Sequence, residues 1–238
     1  MLFCSALCSL AACHTPSRTE EKELRVSQTV TPPQIDGKAT DSCWSSAAIH
    51  PIDQLWAGKL PHASDFMGRY RICWDSSYLY LLAEIYDDSL VTHSPGAADR
   101  YWDRDGLDLF IKEEPSPSNG DSSTRSFHIT FDSLHTAVPL LIGGSEKVKI
   151  AVTHQEHLST WEIALSVHAT SRPSKTLSRH WELAPGKSWG FSIAYNDNDK
   201  SKERESRMGN RPIEPGLSKT QGGHNPGVYQ QIRLDEGN

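Results

Sequence analysis

Phe66-Met67-Gly68-Arg69-Tyr70-Arg71-Ile72-Cys73-Trp74, then Asp75-Ser76-Ser77, then Tyr78-Leu79-Tyr80-Leu81-Leu82-Ala83-Glu84-Ile85-Tyr86, is the stretch that decides the fold class. In the first run Phe66, Tyr70, Ile72 and Trp74 fall on one face and Arg69 and Arg71 on the other, the period of two that a half-buried strand requires. In the second, Leu79, Leu81, Ala83 and Ile85 share a face. The Asp-Ser-Ser between them is turn chemistry, so the two runs read as an antiparallel hairpin. Working outward, further strand-like runs fall at 24–30, 106–112, 126–132, 136–142, 148–154, 160–167, 188–196 and 228–234. Apart from a short helix expected near 41–48, no helical period is sustained. Many short strands separated by turn signals predict a single all-β antiparallel sandwich of two sheets, jelly-roll-like, with long loops. The irregular stretches 87–105, 113–124, 172–187 and 198–226 are where function is expected.

The 238 residues suffice for one large domain with a real core. Twenty-four basic against 30 acidic side chains give a net charge of −6, without the basic excess that nucleic-acid binding needs. A mean hydropathy of −0.53 excludes a polytopic membrane protein. Seven Trp, seven Tyr and six Phe argue against a disordered chain. Three of the five cysteines, Cys4, Cys8 and Cys13, crowd into the first thirteen residues, an apolar or small-residue run too short to span a bilayer.

That run, ending Leu10-Ala11-Ala12-Cys13, resembles the lipobox of a bacterial lipoprotein signal, although no Lys or Arg precedes it. The resemblance implies that residues 1–12 are a signal segment, that Cys13 carries a lipid and begins the mature chain, and that residues 13–23 are a polar tether. With His14 rather than Asp after the cysteine, it implies an outer-membrane lipoprotein, held to the membrane by its lipid alone.

Residues 24–238 are then the folded module. Ile35-Asp36-Gly37 with Cys43-Trp44, the hairpin Tyr70 to Tyr80 with Trp74-Asp75, and Tyr86-Asp87-Asp88 come first. Trp102-Asp103-Arg104-Asp105-Gly106-Leu107-Asp108-Leu109-Phe110, Trp161-Glu162-Ile163-Ala164-Leu165, Gly190-Phe191 through Asn196-Asp197-Asn198-Asp199, and Asn225-Pro226 through Leu234 follow. In this order they resemble family 9 carbohydrate-binding modules and their DOMON-like relatives. Asp108 stands where Glu is usual, and Ser166 where Pro is common.

A sugar ring has an apolar C–H face and a rim of hydroxyls, so it needs an exposed aromatic flanked by polar groups. Trp102, among Arg100, Asp103, Arg104 and Asp105, has that setting. Alternation along 106–112 puts Leu107, Leu109 and Ile111 on one face and Asp108 and Phe110 on the other, so Asp108 is expected to point out toward hydroxyls. The resemblance implies that Trp102 stacks on the sugar, that Asp108 and Asn196 bind hydroxyls, and that Arg125 does so from the next strand. The family's second aromatic has no counterpart after Asn196, where Asp197-Asn198-Asp199-Lys200 follows.

Asp87, Asp88 and Asp105 flank one loop with hard oxygen donors that suit a structural calcium ion. Neither a glycosidase carboxylate pair nor a nucleophile elbow is legible, so the expectation is a non-catalytic, monomeric binder of oligo- or polysaccharide at the cell envelope, accessory to polysaccharide breakdown or uptake. Two rivals stay open. One is a DOMON-type haem or redox-partner module, for which Met67 and Met208 are available; the other is an interaction sandwich that has lost its ligand site. Cys43 and Cys73 form a disulfide or remain two separate thiols.

Overall fold

The computed structural model describes residues 23–92, 101–114, 124–131, 137–142, 148–166, 182–199, 203–213 and 229–237. The lipobox with Cys13, and most of the long loops, lie outside the described residues. Thirteen strands are described: β1 (Leu24–Ser27), β2 (His50–Ile52), β3 (Gln54–Gly58), β4 (Phe66–Trp74), β5 (Tyr78–Asp87), β6 (Gly106–Glu114), β7 (Thr124–Phe131), β8 (Ala137–Ile142), β9 (Val148–Gln155), β10 (Leu158–Ser166), β11 (Ser188–Asp197), β12 (Ser206–Gly209) and β13 (Gln230–Asp235). One short helix, α1 (Ser42–Ser46), and a 3-10 turn (Tyr101–Asp103) complete them. No described helix is long and apolar enough to cross a membrane.

The strands form two sheets, as the alternation predicts. The smaller runs β2-β4-β5-β10-β9, all antiparallel. The larger runs β1-β13-β11-β6-β7-β8, with β12 joining β11 to β3. The expected hairpin is β4–β5, in continuous register from Phe66 opposite Asp87 to Trp74 opposite Leu79. Its apolar face, Phe66, Tyr70, Ile72, Trp74, Leu79, Leu81, Ala83 and Ile85, packs between the sheets against Leu107, Leu109, Phe191, Ile193 and Tyr195 of the larger one. Burial of those side chains, each worth about 1.5–3 kcal/mol, is what holds the layers together.

The edge of the larger sheet is closed by its one parallel pair, β1 against β13, with Leu24 opposite Ile232 and Ser27 opposite Asp235. The indole N–H of Trp74 donates to both Val26 O (3.0 Å) and Asp235 O (3.1 Å), tying this pair to the other sheet.

The outer face of the hairpin is covered too. Cys73, which strand alternation points away from the core, is 3% exposed beneath α1, packed with Cys43, Trp44, Tyr80 and Leu82. Here the Ile35-Asp36-Gly37 and Trp161-Glu162 motifs meet. Glu162, fully buried, accepts the Asp36 and Gly37 backbone N–H groups (2.8 Å each) and the Trp44 indole N–H (2.7 Å). Gly37 has φ +81°, and a Cβ there would lie 2.9 Å from the Thr153 nitrogen, so this turn needs glycine.

Candidate functional site

The outer face of the larger sheet carries a buried polar network. Cross-strand register sets His128 of β7 beside Asp108 of β6, and Arg207 of β12 beside Asn196 of β11. Asp108 is 7% exposed, not open to solvent as alternation alone predicts. His128 Nδ1 lies 2.5 Å from its Oδ1, while Oδ2 accepts Asn196 Nδ2 (3.1 Å) and Arg207 Nη2 (2.5 Å). Burial alone would raise the Asp108 pKa; the charges of Arg207 and His128 and these hydrogen bonds overcome it and hold the carboxyl well below the usual range. Arg207 is fixed in turn, its guanidinium 5.2 Å above the Trp56 ring and 5.7 Å from Phe110.

From this floor the network climbs to the surface. Asn196, fully buried, donates to Asp108 and accepts at its Oδ1 from Arg204 Nη1 (2.9 Å). Arg204 is partly exposed, and its backbone N–H reaches Asp103 Oδ1 (3.4 Å). Asp103 ends the 3-10 turn that presents Trp102, whose side chain is 39% exposed. Asn198 locks that turn, donating its Nδ2 to Asp103 O (2.5 Å) and its backbone N–H to Asp105 Oδ1 (2.8 Å). The turn that carries the exposed Trp102 is thus tied, through Asp103 and the Arg204 backbone, to a segment whose guanidinium is held from beneath by Asn196: an apolar platform and polar donors anchored in one network.

Of the expected sugar contacts, Trp102, Asp108 and Asn196 belong to this connected unit. Arg125 does not. It pairs with Ile111 on the strand face shared with Phe127 and Ile129, opposite to Asp108 and His128. The guanidiniums at the network come instead from Arg204 and Arg207, in the stretch 198–226 expected to be loop. β12 escaped the sequence reading because its four residues are all buried, so no polar–apolar alternation marks it. Strand alternation puts His128 on the face opposite Phe127 and Ile129, and the register with β6 supplies its partner, Asp108.

The acidic residues divide into two groups. Asp87 and Asp105 meet Asp197 at the end of the core, with ligand-capable oxygens within 4.8 Å of one another and all three buried. Asp88, one residue beyond Asp87, joins Asp65 and Asp199 in a more exposed group instead. Several donors hold the buried three: Tyr195 Oη to Asp87 (2.7 Å), Ser206 Oγ to Asp197 Oδ2 (2.9 Å), and the Val91 N–H to Asp105. Asp197 Oδ1 is buried without a hydrogen-bond partner. Burial, then the neighbouring Asp87 charge, pushes the Asp197 pKa up to about 7, and the same two causes raise Asp105 well above the usual carboxylate value. Crowded, desolvated carboxylates with an orphaned oxygen are a donor set that fits a hard divalent cation such as calcium.

Met67 and Met208 lie on different sheets, the first 53% and the second 3% exposed, so they do not converge on one site.

Comparison with known proteins agrees with this architecture. A carbohydrate-binding module of family 9 from Caldicellulosiruptor kristjanssonii in complex with cellotriose superposes with a TM-score of 0.68 at 19% identity, covering 91% of this chain and 95% of that one. The same source's module in complex with glucose gives 0.66 at 18%, covering 90% and 97%. A putative carbohydrate-binding protein from Bacteroides uniformis gives 0.58 at 15%, covering 90% and 99%. In sequence, 101 residues, 42% of the chain, are 29% identical to endo-1,4-beta-xylanase C of Paenibacillus barcinonensis, and the match spans 8% of that enzyme. The profile described as "Carbohydrate family 9 binding domain-like" matches residues 35–234, and the chain belongs to that family of non-catalytic modules.

Proposed function

We propose that the chain binds oligo- or polysaccharide without catalysis, on the surface formed by Trp102 and Arg204 over the Asn196–Asp108–His128–Arg207 floor. The observation that carries this is the linkage of the half-exposed Trp102 turn, through Asp103 and Arg204, to a buried polar network in a domain of this family. The Trp102 ring supplies the platform for a sugar's C–H face, and Arg204 supplies hydroxyl-binding donors. Asp108, its oxygens engaged, positions Asn196 and Arg207 rather than the ligand. The related modules crystallised with cellotriose and glucose make glucose-type sugars the first to test.

The same reading places the module at the cell envelope as a monomeric outer-membrane lipoprotein, with Cys13 as lipid attachment and 13–23 as tether, accessory to polysaccharide breakdown or uptake. Calcium held by Asp87, Asp105 and Asp197 would brace the end of the sandwich beneath the Trp102 turn, because Asp105 also receives the Asn198 N–H. Glycan-array binding by the wild type and by Trp102→Ala tests the site. Loss of signal in the variant supports it; equal binding by both, or none by either, overturns it.

A further inference from the structure

The charges at the site do not balance evenly. Asp108 is matched at 2.5 Å by Arg207, and both its oxygens are engaged by His128, Asn196 and Arg207. Among the described residues Arg204 has no carboxylate at such a distance from its guanidinium. Its one side-chain hydrogen bond among the described residues goes to the neutral Asn196 oxygen, and no ion pair holds it there. The charged groups it feels are Arg207, which repels it, and Asp108 and Asp103, which attract it from a distance. Burial, then the Arg207 charge, lowers its pKa, yet a guanidinium does not give up its proton in a protein. The buried acidic trio lies on the other face of the sheet, because Asp197 alternates away from Asn196, so it does not neutralise Arg204.

A partly exposed, under-compensated guanidinium presents a planar fork of donors, the geometry that a carboxylate meets with two parallel hydrogen bonds. Asp103, which accepts the Arg204 backbone N–H, adjoins Trp102 in the chain, so the residue that carries the fork is joined through a single residue to the turn that carries the aromatic. We infer that the site selects saccharides carrying a carboxylate, uronic acid residues, with Arg204 as the residue that reads the acid group. This rests on the carbohydrate-binding reading above and deepens it.

Titration calorimetry of the full chain with cellotriose, and with the β-1,4-linked triglucuronate of the same length, tests the inference. The uronate is expected to bind about tenfold more tightly at low salt, the size of one charge-assisted pair. That advantage shrinks as salt rises from about 50 to about 200 mM. In Arg204→Gln the preference collapses to about one, while Arg204→Lys, which keeps charge but not the fork, retains part of it. Circular dichroism establishes that both variants are folded. If cellotriose binds at least as well as the uronate, the acid-sugar inference falls and the carbohydrate reading stands. If the preference survives in Arg204→Gln, the assignment to Arg204 falls. If neither sugar binds, both fall together.

Discussion

The carboxylate of Glu162 accepts the indole N–H of Trp44 at 2.7 Å, joining two residues 118 positions apart in the chain. The same carboxylate holds the Asp36 and Gly37 backbone, so one buried acid staples the opening turn, α1 and β10 together. Burial raises its pKa, and its three donors counter that shift without reversing it. Glu162→Ala strands all three donors, and chemical denaturation should show a loss of about 3 kcal/mol or more. Trp44→Phe, which keeps most of the packing and removes one bond, should lose about 1–3 kcal/mol.

Asp108→Asn leaves the Arg207 guanidinium buried without its counter-charge. The expected cost is about 3–5 kcal/mol by chemical denaturation. Replacing both residues, Asp108→Asn with Arg207→Met, should cost less than the sum of the two single changes. The Asp108 pKa is depressed in the folded state, so its contribution is complete above the unfolded carboxylate value near 4 and is lost only as pH falls further. Stability from this group is therefore flat from pH 5 to pH 8, and a slope assigned to it there would contradict the network.

Asp197 has the opposite sign. Its folded pKa, about 7, lies above its unfolded value, so the folded state binds more protons between about pH 4 and pH 7. In metal-free protein, raising pH across that window lowers stability. Thermal unfolding in a chelator should show a Tm several degrees lower at pH 7.5 than at pH 5.5. Asp197→Asn should flatten this difference, and millimolar calcium should restore the Tm of the wild type at pH 7.5. A wild-type Tm indifferent to calcium would remove the cation from the buried trio.

Cys43 and Cys73 are free thiols packed in one cluster, and they line a cavity of about 360 Å3 together with Ser27, Thr29, Thr31 and Ser42. The neighbouring Cys73 thiol lowers the Cys43 pKa, the direction that favours thiolate attack on a small disulfide. Incubation with oxidised glutathione should yield an intrachain Cys43–Cys73 link, with two molecules of reduced glutathione released. Peptide mapping would show the link, and closing a loop of this length should stabilise the fold by about 3–4 kcal/mol. A stable mixed disulfide on Cys43 alone would show that the two sulfurs do not reach each other.

The hairpin from Phe66 to Trp74 and Tyr78 to Tyr86 was legible because strand alternation is local: each residue's face follows from its neighbour's. The same rule put Asp108 on the outer face, which is where it lies. It could not show that this face is covered, because the cover is Arg207, 99 residues further along and on a strand too short and too buried to alternate. Arg125 was carried over from a resemblance of spacing, and one strand position sends a side chain to the opposite face. Asp87 and Asp105 meet as their shared loop suggested; Asp88, one residue past the end of β5, joins Asp65 and Asp199 instead. The Glu162 anchor was visible only as two separate motifs, since nothing in a sequence measures the distance between them.

β1 and β13 lie side by side and run the same way, so the backbone leaves the sheet from opposite ends of one ladder. Tension applied between residue 24 and residue 235 therefore slides the two strands past each other and loads every rung at once. An antiparallel pair at this edge would open one rung at a time, like a zip. The Trp74 indole, bonded to Val26 and Asp235 together, crosses that line of shear and adds a rivet from the opposite sheet. A module built this way is mechanically strongest when it is pulled between the start of its first strand and the end of its last.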